Sequence, residues 1–136
     1  MHRDARRVRS VAAWAAAGAI SAMVGVMLGA FGAHALRASL EPRLVQSFET
    51  AARYQMIHAL ALIAVAWLAD RVAHDARGAV NVAGWCFAAG TVLFSGSLYA
   101  MVLTGLRPLG AITPLGGLAF IAGWAAFAWA AWRSRT

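Results

Sequence analysis

The sequence predicts an all-α membrane protein: a single domain over residues 1–136 that folds as an antiparallel bundle of four transmembrane helices. Hydrophobic residues make up 62% of the chain, above the roughly 45–50% that is usual in soluble domains. Four apolar segments each reach about 20 residues or more, the length that crosses a hydrocarbon core about 30 Å thick. The connections between them are short, which leaves no room for a separate soluble domain.

The four predicted spans cover residues 11–36, 51–69, 78–106 and 109–132. The first, third and fourth contain no charged residue. The second contains Arg53, Gln55 and His58, and Arg53 is close enough to its end to place the guanidinium among the lipid headgroups. Ahead of this span, residues 42–50 begin with Pro42 and repeat apolar residues four apart, which predicts a short interfacial helix.

The placement of arginine predicts the orientation of the bundle. One side of the membrane collects Arg3, Arg6, Arg7, Arg9, Arg71, Arg77, Arg133 and Arg135. The other side collects Arg37, Arg43, Arg53 and Arg107. Cytoplasmic segments carry the excess of basic residues, so both termini are predicted to face the cytoplasm. The chain is accordingly expected to be a multi-pass protein of a bacterial inner (plasma) membrane.

The first span also has features of a signal peptide, because a basic start and an apolar stretch precede Ala33-His34-Ala35, an A-x-A-like site. Its apolar stretch is longer than a typical signal core, however. Small residues recur along it at alternating steps of four and three: Gly18, Ala22, Gly25, Gly29 and Gly32. Such a stripe lets another helix approach closely, which favours a retained helix packed inside the protein. Gly117 in the fourth span is expected to serve the same purpose.

Seven polar side chains are predicted to converge at one depth, in the outer half of the bundle: His34, Tyr54, Gln55, His58, Ser95, Tyr99 and Thr113. The prediction follows from the rise of about 1.5 Å per helical residue and the topology above. Polar groups at such a depth face protein or water, because leaving them unpaired in hydrocarbon is costly. Ser97 faces elsewhere on its helix and is expected to bond only to carbonyl groups of that helix.

Two interpretations of this cluster remain open. The favoured one is structural, namely hydrogen bonds between helices that fix their register. The alternative is an outer-leaflet binding site for a small ligand, quinone, haem or metal, centred on His34 and His58. A shared site requires the two imidazoles to lie close together beside a cavity.

Neither catalysis nor a bound cofactor is predicted. No carboxylate or thiolate lies at the depth of the two histidines, so a metal shell there would be incomplete. Ser95 and Ser97 have no acidic partner at that depth to orient a histidine base. Cys86 is the only cysteine and is expected to be inert. The net charge of +7 comes from arginines in the tails and loops, which argues against nucleic-acid binding.

Four segments of the chain carry recurring combinations of these residues: Gly29-Ala-Phe-Gly-Ala-His34-Ala-Leu36, Tyr54-Gln-Met-Ile-His58-Ala-Leu60, Gly90-Thr-Val-Leu-Phe-Ser95-Gly-Ser97-Leu-Tyr99, and Thr113-Pro-Leu-Gly-Gly117 with Ala122-Gly-Trp124. They resemble the YgdD-type inner-membrane family, catalogued as domain of unknown function four-two-three, to which a mitochondrial transmembrane protein of animals is related. The resemblance implies a four-helix membrane fold with no assigned activity. It also implies that the polar cluster, together with Phe31, Ser97 and Pro114, is characteristic of that family.

The sequence therefore predicts a non-enzymatic protein that acts as a structural or accessory component of the membrane or of a membrane assembly. Its expected partners are the lipid bilayer and, beyond it, other membrane proteins or further copies of itself. A third hypothesis is a small oligomeric transporter. A transporter needs a polar lining that continues to the inner side, where the predicted spans are almost wholly apolar.

Overall fold

The computed structural model describes the backbone of residues 2–134 and the side chains of residue 5 and residues 7–134. Its α-helices are α1 (His2–Phe31), α2 (Pro42–Arg71), α3 (Arg77–Thr91), α4 (Ser97–Thr104) and α5 (Thr113–Arg133). A π-helical turn extends α1 over Gly32–Leu36, and a second one, Val92–Gly96, joins α3 and α4 into one span. Short 3-10 helices over His74–Ala76 and Arg107–Ala111 precede α3 and α5.

Four helical segments are long and apolar enough to cross a membrane: Arg7–Leu36, Pro42–Arg71, His74–Thr104 and Arg107–Arg133. The predicted fold class is thereby confirmed. The second span begins earlier than residue 51, because residues 42–50 form the first turns of α2 rather than a separate interfacial helix. Pro42 occupies the first turn, where its missing N–H costs nothing, and neither glycine nor proline interrupts the helix before Arg71.

The central helix of the bundle is α2. In its most apolar window 56% of the residues are buried, against 17% in the corresponding windows of the first and fourth spans. The first and third spans flank α2, and α5 packs mainly against α3 and the π-helical turn that follows it. Phe48, Val65 and Phe87 are among the largest fully buried side chains. Most of the surface of α1 and α5 is therefore left to face lipid.

Glycines bring α1 close to α2. A Cβ atom added at Gly18 would lie 2.7 Å from the carbonyl oxygen of Ala59, and one added at Gly32 would lie 2.8 Å from the Phe48 ring. These distances are too short for any side chain, so the two backbones depend on glycine here. The rest of the predicted stripe is packed less tightly: Gly25 and Gly29, whose added Cβ atoms would have their nearest neighbours at 3.5 and 4.0 Å, and the half-buried Ala22.

The close approach of α5 to the third span depends on Gly116 rather than on Gly117. A Cβ atom added at Gly116 would lie 2.7 Å from the Cα atom of Phe94, whereas one added at Gly117 would find no atom within 4 Å. Adjacent helical residues point about 100° apart, so only one of the two can face the neighbouring helix. Gly123 continues the contact, since a Cβ atom there would lie 2.7 Å from the Phe87 ring. The assignment of Gly117 to helix packing is corrected accordingly.

Ion pairs differ between the two ends of the bundle. The terminal end carries the start of α1, the connection from α2 to α3 and the end of α5; the opposite end carries the other two connections. Among the described residues, the ion pairs of the terminal end are Arg7–Asp70 (2.8 Å) and Arg133–Asp75 (3.2 Å), and that of the opposite end is Arg37–Glu49 (2.8 Å). Exposed pairs of this kind contribute only about 0–1 kcal/mol, so the helix contacts hold the fold.

Single cysteines would test the predicted orientation, in which the terminal end faces the cytoplasm. In a Cys86→Ala background, Ser39→Cys and His74→Cys introduce thiols at exposed positions of the opposite and the terminal end. A membrane-impermeant maleimide added to intact cells is expected to label position 39, and to label position 74 only after permeabilisation. The reverse pattern would contradict the assignment from arginine placement.

Candidate functional site

Gln55, in the middle of α2, forms hydrogen bonds with both flanking spans. Its Nε2 donates to the backbone carbonyl oxygen of Ser21 in α1 at 3.0 Å. Its Oε1 accepts a hydrogen bond from the hydroxyl of Tyr99 in α4 at 2.7 Å. Gln55 is only 5% exposed, and a buried amide is stable only when it is paired. One amide therefore connects three of the four spans.

Two serines beside the π-helical turn of the third span bond in different directions. Ser95 Oγ donates to the backbone carbonyl oxygen of Ala51 in α2 at 2.7 Å. Ser97 Oγ lies 3.0 Å from the carbonyl oxygen of Phe94 and 2.7 Å from Thr113 Oγ1 in α5. Because a carbonyl only accepts, Ser97 donates to Phe94 and Thr113 donates to Ser97. Ser97 thus bonds within its own helix, as expected, and also joins α5, which the sequence analysis did not anticipate.

His58 uses both nitrogens of its ring. Nδ1 lies 2.8 Å from the backbone carbonyl oxygen of Tyr54, one turn earlier in α2. Nε2 lies 3.2 Å from the indole Nε1 of Trp124 in α5. A carbonyl only accepts and an indole N–H only donates, so Nδ1 carries the proton and Nε2 accepts. The ring is held as the Nδ1–H tautomer, and its one lone pair is already engaged and not free for a metal ion.

Aromatic rings enclose this imidazole. It stacks on Phe120, with ring centroids 3.4 Å apart and planes 5° from parallel. The rings of Phe87 and Trp124 lie on tilted planes with centroids at 5.6 and 6.0 Å. His58 is only 4% exposed, so the protein covers nearly all of the ring. The stack joins α2 to α3 and α5.

His34 lies far from His58. It is exposed and belongs to the π-helical turn at the end of the first span. Gly32 packs on Phe48, so His34, two residues later, is level with residue 46 of antiparallel α2. Residue 46 precedes His58 by 12 residues, which corresponds to about 18 Å along the helix axis. A small ligand or metal shared by the two imidazoles is excluded, because metal–nitrogen bonds are only about 2 Å long.

His34 and His58 do not lie at the one depth expected of them, and the bounds of α2 explain the difference. The helix starts at Pro42, so His58 lies 16 residues from that end, or about 24 Å along the axis. A start at residue 51 had implied that the imidazole lies within about 10 Å of the membrane boundary. The polar residues are instead distributed among several contacts between the spans. Within the described residues, no three His, Cys, Asp or Glu side chains are placed to hold a metal ion.

Sequence reasoning missed several partners in these contacts. Trp124 lies on a regular helical stripe of α5, but its pairing with His58 across two spans leaves no signature in the sequence. At the terminal end, Asn81 Oδ1 accepts a hydrogen bond from Trp14 Nε1 at 3.1 Å. The only signal of this contact in the sequence was Asn81 itself, a single amide near the start of the third span.

Replacing Tyr99 by phenylalanine is expected to lower the free energy of unfolding by about 0.6–1.7 kcal/mol, the range measured for hydrogen bonds between membrane helices. The change removes only the hydroxyl and leaves Gln55 Oε1 without its 2.7 Å partner. Tyr54→Phe is the matched control. Tyr54 is 38% exposed, its ring stacks on Phe94, and its hydroxyl has no hydrogen bond to any described residue. Equilibrium unfolding of both variants in mixed micelles measures the difference, and equal stabilities would contradict the role of Gln55.

Comparison with known proteins places these residues in a family context. The family model described as "Protein of unknown function (DUF423)" matches residues 28–117. The UPF0382 membrane protein YwdK of Bacillus subtilis is 51% identical over 107 residues, covering 79% of this chain and 85% of the relative. A UPF0382 membrane protein of Staphylococcus haemolyticus is 48% identical over 107 residues, with 79% and 84% covered. No solved structure matches the chain significantly.

Proposed function

Because this chain belongs to the DUF423 family of multi-pass membrane proteins, whose function is unknown, we propose that it is a non-enzymatic structural or accessory component of a membrane assembly. One observation supports the proposal most strongly: the polar side chains between the helices form hydrogen bonds with one another and with the backbone. Gln55, Ser97 and His58 each bond to a neighbouring span. These groups fix the helices in place and offer little to a substrate.

The same bonds argue against catalysis. Ser95 is the most deeply buried polar residue, 1% exposed, and its hydroxyl donates to the carbonyl oxygen of Ala51. A nucleophilic serine needs a base that accepts its proton and a substrate that can reach its oxygen. His58 cannot act as that base for Ser95, because its one unprotonated nitrogen already accepts a hydrogen bond from Trp124.

The outward faces of α1 and α5 are the surfaces that other molecules in the membrane can contact. Exposed large apolar side chains cover α1 and α5, for example Val26 at 61% and Ile121 at 68% exposure. The connections between spans are only a few residues long, so they contain no extramembrane domain. Contacts of the protein with partners are therefore expected inside the membrane, with lipid, with other membrane proteins or with further copies of the chain.

Site-specific photo-cross-linking in cells tests this proposal. A photoreactive amino acid is placed at position 26 or 121, and the fully buried Val80 serves as the control position. At least one of the two outward faces is expected to give a protein adduct of constant mass that is absent at position 80. Deleting the gene is expected to reduce the assembled form of that partner, and the wild-type chain should restore it.

Two results together would overturn the proposal. The first is that both outward faces yield only lipid adducts. The second is that the protein runs as a monomer in mild detergent and that its deletion changes no membrane assembly. The transporter hypothesis gains no support from the structure, because the polar side chains bond to neighbouring spans and to the backbone instead of lining a continuous path.

A further inference from the structure

A groove of about 480 Å³ lies between α1 and α3 near the terminal end. Its volume falls within the roughly 300–1,000 Å³ that is usual for small-molecule sites. Alanine side chains and the rings of Trp14 and Trp85 form its walls, and the two indoles meet edge to face with centroids 5.3 Å apart. Trp14 rests on Gly84, where an added Cβ atom would lie 2.7 Å from the ring. The indole thus keeps α1 apart from α3, and the alanines leave the space beside it open.

Arg77 lies near one end of this groove. It precedes Asn81 by one turn and Trp85 by two, so the three residues share one face of α3. Its Nε atom is buried and has no hydrogen-bond acceptor in the described part of the chain. An unpaired buried donor is unfavourable, and more so when it is charged. An anion bound beside the guanidinium would offset this cost by Coulomb attraction, without reaching the covered Nε atom.

Asn81 also presents unused donors. Its Oδ1 accepts the hydrogen bond from Trp14 Nε1, which leaves the two Nδ2 hydrogens without an acceptor among the described residues. The other polar residue of the groove, Ser10, donates its hydroxyl to the carbonyl oxygen of Arg7. Among the described residues, no carboxylate lines the groove. Its polar end therefore suits a molecule that carries acceptors and negative charge.

The net positive charge of the terminal end also favours an anionic ligand. The described charged side chains there are Arg7, Arg9, Arg71, Arg77, Arg133, Asp70 and Asp75, five positive against two negative. Both aspartates are already paired, Asp70 with Arg7 and Asp75 with Arg133. Basic residues close to a membrane surface attract anionic lipid headgroups.

We propose that this groove binds one anionic phospholipid, with its phosphate held by the Arg77 guanidinium and the Asn81 amide, and one acyl chain lying along Trp85 and the alanines. A phosphodiester supplies acceptors for the Asn81 amide and a negative charge beside the Arg77 guanidinium. An acyl chain suits the apolar walls, which a soluble anion would leave uncovered. A second copy of the chain would bring like charge to this end, so lipid is the better occupant.

Native mass spectrometry of the full-length protein in mild detergent tests the proposal with two probes, dioleoyl phosphatidylglycerol and dioleoyl phosphatidylcholine. One phosphatidylglycerol is expected to bind several-fold more tightly than phosphatidylcholine. Arg77→Gln is expected to reduce the affinity for phosphatidylglycerol about fivefold, which corresponds to one lost charge contact. Trp85→Ala is expected to reduce the affinity for both lipids, because the ring forms the wall along the acyl chain.

Matched variants separate the site from general effects. Arg9→Gln removes an equal charge from the same end but outside the groove, and Trp132→Ala removes an indole that is 70% exposed, as against 69% for Trp85. Neither is expected to reduce the affinity more than twofold. The proposal is overturned if phosphatidylcholine binds equally well, if Arg9→Gln has the effect of Arg77→Gln, or if inorganic phosphate displaces the lipid. Should Arg77→Gln fail to fold, Trp85→Ala against Trp132→Ala decides the outcome alone.

Discussion

Replacing Gly116 by alanine is expected to destabilise the protein by about 2–3 kcal/mol, the cost of overpacking a tight contact. The new Cβ atom would lie 2.7 Å from the Cα atom of Phe94, and a backbone atom cannot rotate away as a side chain can. Either α5 moves away from the third span or the π-helical turn distorts. In both cases the 2.7 Å contact between Ser97 and Thr113 is also disturbed.

Gly117→Ala provides the matched control for this experiment. The added methyl group would find no atom within 4 Å, although the residue is the immediate neighbour of Gly116. Both substitutions gain the same intrinsic helix propensity, about 1 kcal/mol relative to glycine, so this term cancels between them. Gly117→Ala is expected to be neutral or slightly stabilising. Unfolding in mixed micelles, followed by far-UV circular dichroism, measures both, and equal midpoints would contradict the packing of α5 on the third span.

His58→Ala is expected to cost about 3 kcal/mol of stability, as for other large buried rings. It leaves a cavity beside Phe120, which stacks on the imidazole at 3.4 Å, and it leaves the Trp124 N–H without its acceptor. His58→Phe retains a ring for stacking and loses only the hydrogen bonds. It is therefore expected to cost less, about 1–2 kcal/mol.

A double-mutant cycle isolates the bond between the two rings. Trp124→Phe removes the indole N–H. When His58→Phe is added, no indole donor is left without an acceptor. The double variant is expected to be more stable than the sum of the single effects predicts, by about 1 kcal/mol. Additive effects, or a His58→Ala variant that unfolds like the wild type but loses a copurified ligand, would instead support a binding role for His58.

The fold class could be predicted because its signals are local. An uncharged apolar stretch of sufficient length specifies a span without reference to the rest of the chain, and three of the four spans have one. The sequence predicts a helix over residues 42–50, which contain Arg43 and Glu49, but places it ahead of the second span as a separate interfacial segment. The charges of these two residues lie on the exposed or half-buried side of a continuous helix, and Glu49 pairs with Arg37 across the connection.

The site was less predictable because helical phase is not local. A π-helical turn interrupts the third span over Val92–Gly96, so a projection at 100° per residue fails across it. Ser95 faces α2 and Ser97 faces α5, as expected for residues that point about 200° apart, but which neighbouring span each would meet could not be read from the sequence. Likewise, an error of one residue in helical phase is enough to assign the packing contact to Gly117 instead of Gly116. The predicted depth of a residue is equally sensitive to the bounds of its helix. The predicted start of the second span at residue 51 placed His58 at the level of His34, whereas α2 starts at Pro42.

The family assignment came from combinations of residues spread over all four spans. It is confirmed by the family match over residues 28–117 and by the relatives in Bacillus and Staphylococcus. The relation to an animal mitochondrial protein stays a prediction. Family membership places the chain in a membrane, and the proposed structural role depends on the hydrogen bonds described above.

The most direct test of that role is the ¹⁵N NMR spectrum of the His58 ring in a lipid bilayer. In a variant whose other three histidines, His2, His34 and His74, are replaced by glutamine, His58 is the only imidazole. We expect a protonated Nδ1 and an unprotonated Nε2 that accepts the Trp124 N–H, with no change when zinc, haem or a quinone is added. A protonated Nε2, or a ring signal that shifts on addition of any of these ligands, would contradict a purely structural His58.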